Sequence, residues 1–250
     1  MANAPTASRE QVALGNPSFV WRAGQDRRLT LIRRYVALEN ARILDIGCGI
    51  GTYVKKLREL SPYAYGIDVD PARVAQGDVD GLAVGVSERL PFRDGWFDIV
   101  LLNEVIEHVR DEAETLREAC RIVRPGGHVV IYAPNRLFPF ETHGVYLGKR
   151  YVFGNIPLVN YLPNPLRRRL VPHARAYTHG GLRRLVAGLP AVVVVHTQVY
   201  PGFDNIASRR GALGSVLRAV FYRLENTALR AFGLSHFLIL RTRAAEAAHD

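Results

Sequence analysis

One run of nine residues constrains this chain more than any other: Ile43-Leu44-Asp45-Ile46-Gly47-Cys48-Gly49-Ile50-Gly51, followed at a short distance by Gly66-Ile67-Asp68. The apolar residues around Asp45 read as a short strand buried on both faces. Three glycines at alternating positions then remove every side chain where the backbone has to turn and approach another group closely. Thr52 to Leu60 reads as a helix and Ala64 to Asp68 as a second strand. Strand, tight turn, helix and strand in that order form a β-α-β unit, which requires a parallel sheet. Asp68 lies 23 residues after Asp45, where such a unit places a carboxylate able to grip a ribose diol.

The rest of the chain extends the unit. The first strand is the run Arg42-Ile46, and further strand-like runs lie near Leu82-Val86, Phe97-Leu102, His128-Tyr132, Val192-Val195 and His236-Arg241. Between them lie helical or turn segments near Pro71-Gln76, Glu112-Val123, Thr178-Leu189 and Leu213-Phe232, and an amphipathic segment, Gln25-Glu39, precedes the first strand. This alternation predicts an α/β fold with a doubly wound parallel sheet. Asp70 before Pro71, and Thr178 before His179, read as helix N-caps. Pro125-Gly126-Gly127 reads as the turn into the fifth strand. The apolar stripe of the 213–232 segment reads as a core face. Residues 134–177 break the rhythm with prolines and aromatics and read as an inserted lid, since long irregular segments inside compact domains are often active-site covers. The expected organisation is a loose leader over residues 1–24, one domain over 25–243 that includes this insertion, and a loose tail over 244–250.

Charge narrows the partners. The formal net charge is +10, and residues 134–243 hold 16 Lys or Arg against only Glu141, Asp204 and Glu225. Such asymmetry fits an anionic partner, or equally a solvated surface. Arg167-Arg168-Arg169 with Arg175 reads as a phosphate clamp, a membrane-facing patch or solvated charge. Two cysteines, Cys48 and Cys120, give no disulfide or zinc framework, and no histidine spacing indicates a metal. No apolar run approaches the ~18 residues that span a bilayer, and the first residues lack the shape of a secretory leader. A cytoplasmic setting is expected, with contact at the inner face of the membrane as an open alternative.

The spacing of the glycines selects among cofactors. A pyrophosphate fingerprint, G-x-G-x-x-G, would need glycine at Thr52, but it falls at Gly51. An acidic residue ahead of the loop suits a cationic ligand. The pattern D-x-G-x-G-x-G resembles motif I of the class I S-adenosylmethionine-dependent methyltransferases, in the methyltransferase type 11-like group. Ser87-Glu88-Arg89-Leu90-Pro91-Phe92-Arg93-Asp94-Gly95-Trp96-Phe97-Asp98 and the Arg124-Pro125-Gly126-Gly127 turn are similar to further segments of that family. The resemblance implies a Rossmann-like seven-stranded sheet, mostly parallel with the last strand antiparallel, and S-adenosylmethionine as cofactor. It implies cofactor contacts from Asp45, Gly47, Cys48, Gly49, Gly51, Asp68, Val69, Ser87, Glu88 and Asn103, with Asp68 on the ribose. Val86 stands where many relatives have an aspartate for the adenine amino group, so adenine would rest on backbone near Ser87 and Glu88, with Val69 and Leu90 as apolar walls.

Methyl transfer needs in-line attack by a nucleophile, and holding that geometry supplies much of the acceleration. For a hydroxyl acceptor a histidine is the natural proton acceptor. Asn103-Glu104-Val105-Ile106-Glu107-His108 follows the fourth strand at the edge where open α/β sheets bind ligands, and Glu104 and His108, four apart, read as a pair on one helical face. His143, with Glu141 two residues before it, is the favoured base, ahead of His173 and His179, which flank Tyr177. The expected activity is O-methylation of a small organic, glycan or lipid-linked acceptor. RNA methylation by the basic distal half, or a non-catalytic cofactor-binding or membrane-associated module, are the alternatives.

Overall fold

The computed structural model describes residues 21–243, so most of the expected leader, and the tail, lie outside the described residues. Seven strands form the central sheet: β1 (Ile43–Ile46), β2 (Ala64–Asp68), β3 (Leu82–Val84), β4 (Phe97–Asn103), β5 (Val123–Pro134), β10 (Ala191–Val199) and β11 (Ser235–Thr242). Their order is β10-β11-β5-β4-β1-β2-β3. β1, β2, β3, β4 and β5 pair in parallel, whereas β11 runs antiparallel to both β5 and β10. The last strand is thus antiparallel, as expected, and is inserted between two others rather than placed at an edge.

The two-residue period of the strands splits the core into halves. Leu44, Ile46, Val100, Leu102, Val129, Ile131 and Leu238 point to one face, where they pack with Leu116, Ala119 and Cys120 of α4 (Glu112–Ile122) and Leu182 and Val186 of α6 (His179–Val186). Ile43, Ile99, Leu101, Val130, Tyr132, Phe237 and Ile239 point to the other. That face packs on Leu29 and Ile32 of α1 (Ala23–Arg33) and Val54 and Leu57 of α2 (Thr52–Leu57). Alternating side chains that are all apolar give a sheet covered on both faces. Both cysteines are buried and free.

Caps fall where the sequence places them. Asp70 accepts a hydrogen bond from the Ala72 amide at 2.9 Å and starts α3 (Pro71–Ala75). Thr178 accepts from Gly181 at 3.0 Å and starts α6. The Arg124-Pro125-Gly126-Gly127 turn is an irregularity at the start of β5, where the pairing jumps from Phe97↔Val123 to Ile99↔His128.

Two helices differ from expectation. The first ends at Arg33 instead of near Glu39, because Val36 and Leu38 leave the helix to enter the core. The expected 213–232 helix is α8 (Gly211–Leu224), followed by a 3-10 turn, Ala228–Phe232. Thr227 breaks it: its hydroxyl donates to the Leu224 carbonyl at 2.8 Å and accepts from the Leu229 amide at 3.2 Å, replacing helical backbone bonds. Nor is its apolar stripe core: Leu213, Val216 and Val220 are exposed, and only Gly214 of this helix is buried, against Ala207 of α7 (Asp204–Arg209).

The inserted segment after β5 is folded. β6 (Phe140–Glu141) pairs with β9 (Ile156–Pro157), and β7 (Val145–Leu147) with β8 (Arg150–Val152); α5 (Asn164–Leu170) follows. Val145, Val159, Val171 and Ala174 form a small core of their own. Its two ends meet at a parallel bridge between Asn135 and Tyr177.

Candidate active site

The C-terminal ends of β1, β2 and β4 open into a cleft of about 2200 Å³, bordered on the far side by Phe138, Phe140, Thr142, His143 and Phe153 of the inserted segment. The turn after β1 forms its floor. Gly47 has φ 71° there, and a Cβ on it would lie 2.6 Å from the Val105 side chain, so both backbone shape and space require glycine. Asp45, Cys48, Gly49, Asp68, Val69, Ser87, Glu88 and Asn103 also line the cleft. Gly51 does not. It has φ 80°, precedes α2, and faces Val79 and Leu82, so its part in the loop is to start the helix and let it pack. Leu90, expected as an apolar wall, belongs to the sheet core. The half-exposed Val86 takes that place on the cleft, together with Val69.

Two buried carboxyls set the electrostatics. Asp68 accepts from the Gly49 amide at 2.7 Å with Oδ2 and from the Asp70 amide at 2.9 Å with Oδ1. It thereby ties the glycine turn to β2 and keeps lone pairs in reserve, since a carboxylate has about four acceptor sites. Asp45 is 3% exposed. Burial, and then the charge of Asp68, push its carboxyl up to about 8. Burial likewise pushes the Cys48 thiol far up, which leaves it inert. Ser87 hydrogen-bonds Glu88 and Thr115, and Glu88 accepts from the Arg110 and Asp111 amides at 2.9 and 3.3 Å, bracing the segment after β4.

Arg28, which sequence reasoning passed over as one of several cations on the first helix, is central. Its guanidinium donates to Asn103, to Glu104 at 2.7 Å and to Ser235 at 3.1 Å, and lies over the Tyr132 ring. Ser235 donates to the same Glu104 oxygen at 2.6 Å. Burial alone would raise the Glu104 carboxyl, but Arg28, then Ser235 and His143, hold it below the usual range. The expected helical pairing of Glu104 with His108 is not formed. Glu104 has left-handed backbone, φ 58°, and the residues after it are a turn, because β4 must change direction here to reach α4.

His143 and His108 nevertheless meet, with ring centroids 5.2 Å apart. His108 Nδ1 donates to the His173 carbonyl at 2.9 Å, and burial, then His143, lower it to about 4, so it is neutral. His143 Nδ1 donates to Glu141 at 2.9 Å, leaving Nε2 as the acceptor. Glu141 in turn accepts from Arg167 at 2.6 Å. Despite its burial, its bond to His143 and the charge of Arg167 lower Glu141 to about 2. Arg167 is therefore a buried positioning residue; the expectation of an exposed Arg167-Arg168-Arg169 patch holds only for Arg168 and Arg169. The second residue missed from sequence is Glu107. Its carboxyl lies 3.9 Å from Nε2 of both His108 and His143, has no hydrogen-bond partner among the described residues, and is raised well above the usual range by burial and then Glu104. Of the other candidates, His173 donates from Nε2 to the His143 carbonyl at 3.0 Å, Tyr177 is buried with its hydroxyl on the Ile106 carbonyl, and His179 lines a different cavity.

Residues 44–131 match the family model of a methyltransferase domain. That match and the fold support a class I S-adenosylmethionine-dependent methyltransferase. It is 41% identical over 110 residues to a norajmaline N-methyltransferase of Rauvolfia serpentina, a match covering 39% of this chain and 38% of that enzyme. It is 30% identical over 141 residues to a ubiquinone biosynthesis O-methyltransferase of Marinobacter nauticus, covering 52% and 59%. The chain thus spans less than two thirds of the length of these curated relatives. Its fold is that of an S-adenosylmethionine-dependent methyltransferase from Mesorhizobium loti, with TM-score 0.59 and 17% identity over 91% of this chain and 99% of that one. The cofactor of that family, S-adenosylmethionine, fits the cleft. Asp45 is a buried carboxyl with no cation of the described residues paired to it, Asp68 has acceptor capacity to spare, and Val69 and Val86 offer apolar surface for a base. No helix among the described residues is long and apolar enough to cross a membrane.

Proposed function

We propose that this methyltransferase transfers a methyl group to a hydroxyl oxygen of a small organic, glycan or lipid-linked acceptor held between the glycine loop and the 134–177 insertion. S-adenosylmethionine, when bound, supplies an electrophilic methyl group on a sulfonium. Asp68 would hold its ribose, Val69 and Val86 its base, and Asp45 with the loop of Gly47, Cys48 and Gly49 its cationic amino acid end. The observation that carries the oxygen acceptor is the His143–Glu141 pair on the cleft wall. A histidine with Nδ1 committed to a carboxylate presents Nε2 as a fixed proton acceptor, which a hydroxyl needs in order to attack. Arg28 and Ser235 hold Glu104 ionised, so that residue positions Asn103 and the turn rather than taking a proton. The insertion would exclude water from the acceptor as a lid. Its cations, and the exposed apolar face of α8, support approach to an anionic or lipid-linked acceptor at the inner membrane face.

The first test is isothermal titration with S-adenosylmethionine and its demethylated product, followed by a screen of phenols, sugars and lipid-linked alcohols for methyl transfer. Asp68→Ala should weaken cofactor binding at least ~tenfold, the loss of charge-assisted bonds to a diol. Normal binding by that variant would remove the ribose assignment, and methylation confined to amines would remove the oxygen acceptor.

The Asp45 carboxyl gives a pH test. Its folded pKa of about 8 lies above an unfolded value of about 3.9. Between these the native state holds a proton that the unfolded state has lost, so this group's contribution to stability falls as pH rises toward 8. A cation bound beside Asp45 reverses the preference and releases the proton. Cofactor affinity should therefore climb with pH, by up to about tenfold per unit, and level off above about pH 8. Asp45→Asn should flatten the climb, which titrations in a series of buffers would measure.

A further inference from the structure

One face of α8 holds the helix to the domain. Tyr200 and Phe203 pack on Phe221 with ring centroids 4.9 and 5.1 Å away, and Arg27 lies over the Tyr222 ring. Arg218 donates to the Gly202 carbonyl at 2.6 Å and to Asp204 at 3.1 Å. These contacts fix which way the helix is turned. Leu213, Val216 and Val220, three and four residues apart, form a row that stays exposed, and so do Leu229 and Phe232 of the 3-10 turn that follows. Charge around this row has one sign. Residues 205–224 contain four arginines and no acid, and the acids just outside are taken, Asp204 by Arg218 and Glu225 by Arg27. Arg209 and Arg210 before the helix, Arg223 in its last turn and Arg230 in the 3-10 turn are all exposed.

We propose that α8 and the Ala228–Phe232 turn dock this methyltransferase on an anionic lipid bilayer, with the apolar row in the interface and the four exposed arginines among the headgroups. An apolar helix face edged by cations is the arrangement that lies in a membrane surface. No described helix can cross a membrane, so the contact is peripheral. Charge complementarity selects the partner: each basic residue close to an anionic bilayer strengthens binding about fivefold, and an uncharged bilayer offers no such gain. The docked face adjoins the cleft. Phe203, Ile206 and Tyr222 line one side of it and Phe140 and Phe153 of the insertion the far side. Ile206, Phe140 and Phe153 are exposed as well, which gives the cleft apolar rims on both sides. Past these rims the polar end of a lipid would reach the His143 side while its tail stays with the bilayer. That last step rests on the lipid-linked reading of the acceptor; the docking itself does not.

The test sediments the full chain with vesicles of phosphatidylcholine and phosphatidylglycerol in equal parts, and with vesicles of phosphatidylcholine alone. Binding to the first and not the second is expected, weakening as salt screens the surface charge. Val216→Glu with Val220→Glu, at two exposed positions, should lower binding at least ~tenfold, since interfacial affinity follows buried apolar area and charge. Circular dichroism and the titration with S-adenosylmethionine should be unchanged. Arg209→Ala with Arg210→Ala should lower binding about 25-fold, roughly fivefold for each charge. In Val216→Trp the indole emission should move to the blue when the mixed vesicles are added. No binding to the mixed vesicles, equal binding to both kinds, or binding that survives the glutamate pair would overturn the proposal. So would a dimer in solution that the glutamate pair dissociates, because a second copy would then cover the row. Methyl transfer to soluble hydroxyl acceptors, assayed without vesicles, tests the reaction separately, so failure of the docking and failure of the chemistry are told apart.

Discussion

His143→Ala should lower kcat for methyl transfer by about 10²–10⁴ while leaving the affinity for S-adenosylmethionine unchanged, the range over which a positioned general base acts. The expectation rests on a chain of fixed contacts. Arg167 holds Glu141, Glu141 holds Nδ1 of His143, and Nε2 remains on the side of His108 and the partnerless Glu107. Neither neighbour competes for the role. His108 is lowered to about 4 by burial and carries its proton on Nδ1 toward His173, and Glu107, raised well above the usual carboxylate range by burial and then Glu104, does not line the cleft. A ring acting only as a wall would lose KM on truncation, whereas a base loses kcat. Added imidazole offers the sharper distinction: partial recovery of turnover in the alanine variant marks a missing proton acceptor, and a missing wall would not recover.

The parts of this site that were legible in the sequence are those made by neighbours in the chain. Asp45, Gly47 and Asp68 belong to one β-α-β unit, so their spacing already fixes their relation, and the alternation of strands and helices fixes the sheet that carries them. Long-range partners were not legible. Arg28 reaches Asn103 and Glu104 from a helix about 75 residues earlier, and nothing in Gln25-Asp26-Arg27-Arg28 separates it from Arg27, which pairs with Glu225 instead. Arg167 looks like its neighbours Arg168 and Arg169 until Glu141 is brought beneath it. Glu107 stands beside two residues that were singled out, yet its significance is the absence of a partner, which only packing defines. His179, His196 and His236 are 17 and 40 residues apart along the chain, and they meet only because two paired strands and the start of a helix are packed together.

The largest stability effect is expected at Arg167. It is 2% exposed and spends its whole guanidinium inside the insertion, on Glu141 at 2.6 Å, Asn160 at 3.1 Å and the Ala174 carbonyl at 2.9 Å. Arg167→Ala would leave the Glu141 carboxylate buried without its cation, a change that costs about 3–5 kcal/mol. Arg168→Ala and Arg169→Ala, on the exposed side of the same helix, should stay within about 0.5 kcal/mol. The depressed Glu141 carboxyl gives the same result from the acid side. Its folded pKa of about 2 lies below an unfolded value near 4.3, so its stabilisation is complete above the latter and vanishes as pH falls through the former. Urea unfolding gives the global loss, and limited proteolysis shows whether cleavage of Arg167→Ala concentrates within residues 134–177. Replacing both partners, as Arg167→Met with Glu141→Leu, removes the ion pair without stranding a charge and should recover most of the stability. Turnover should not recover with it, because the carboxylate that fixes His143 is gone; a stable, inactive double variant would separate the pair's part in folding from its part in orienting the base.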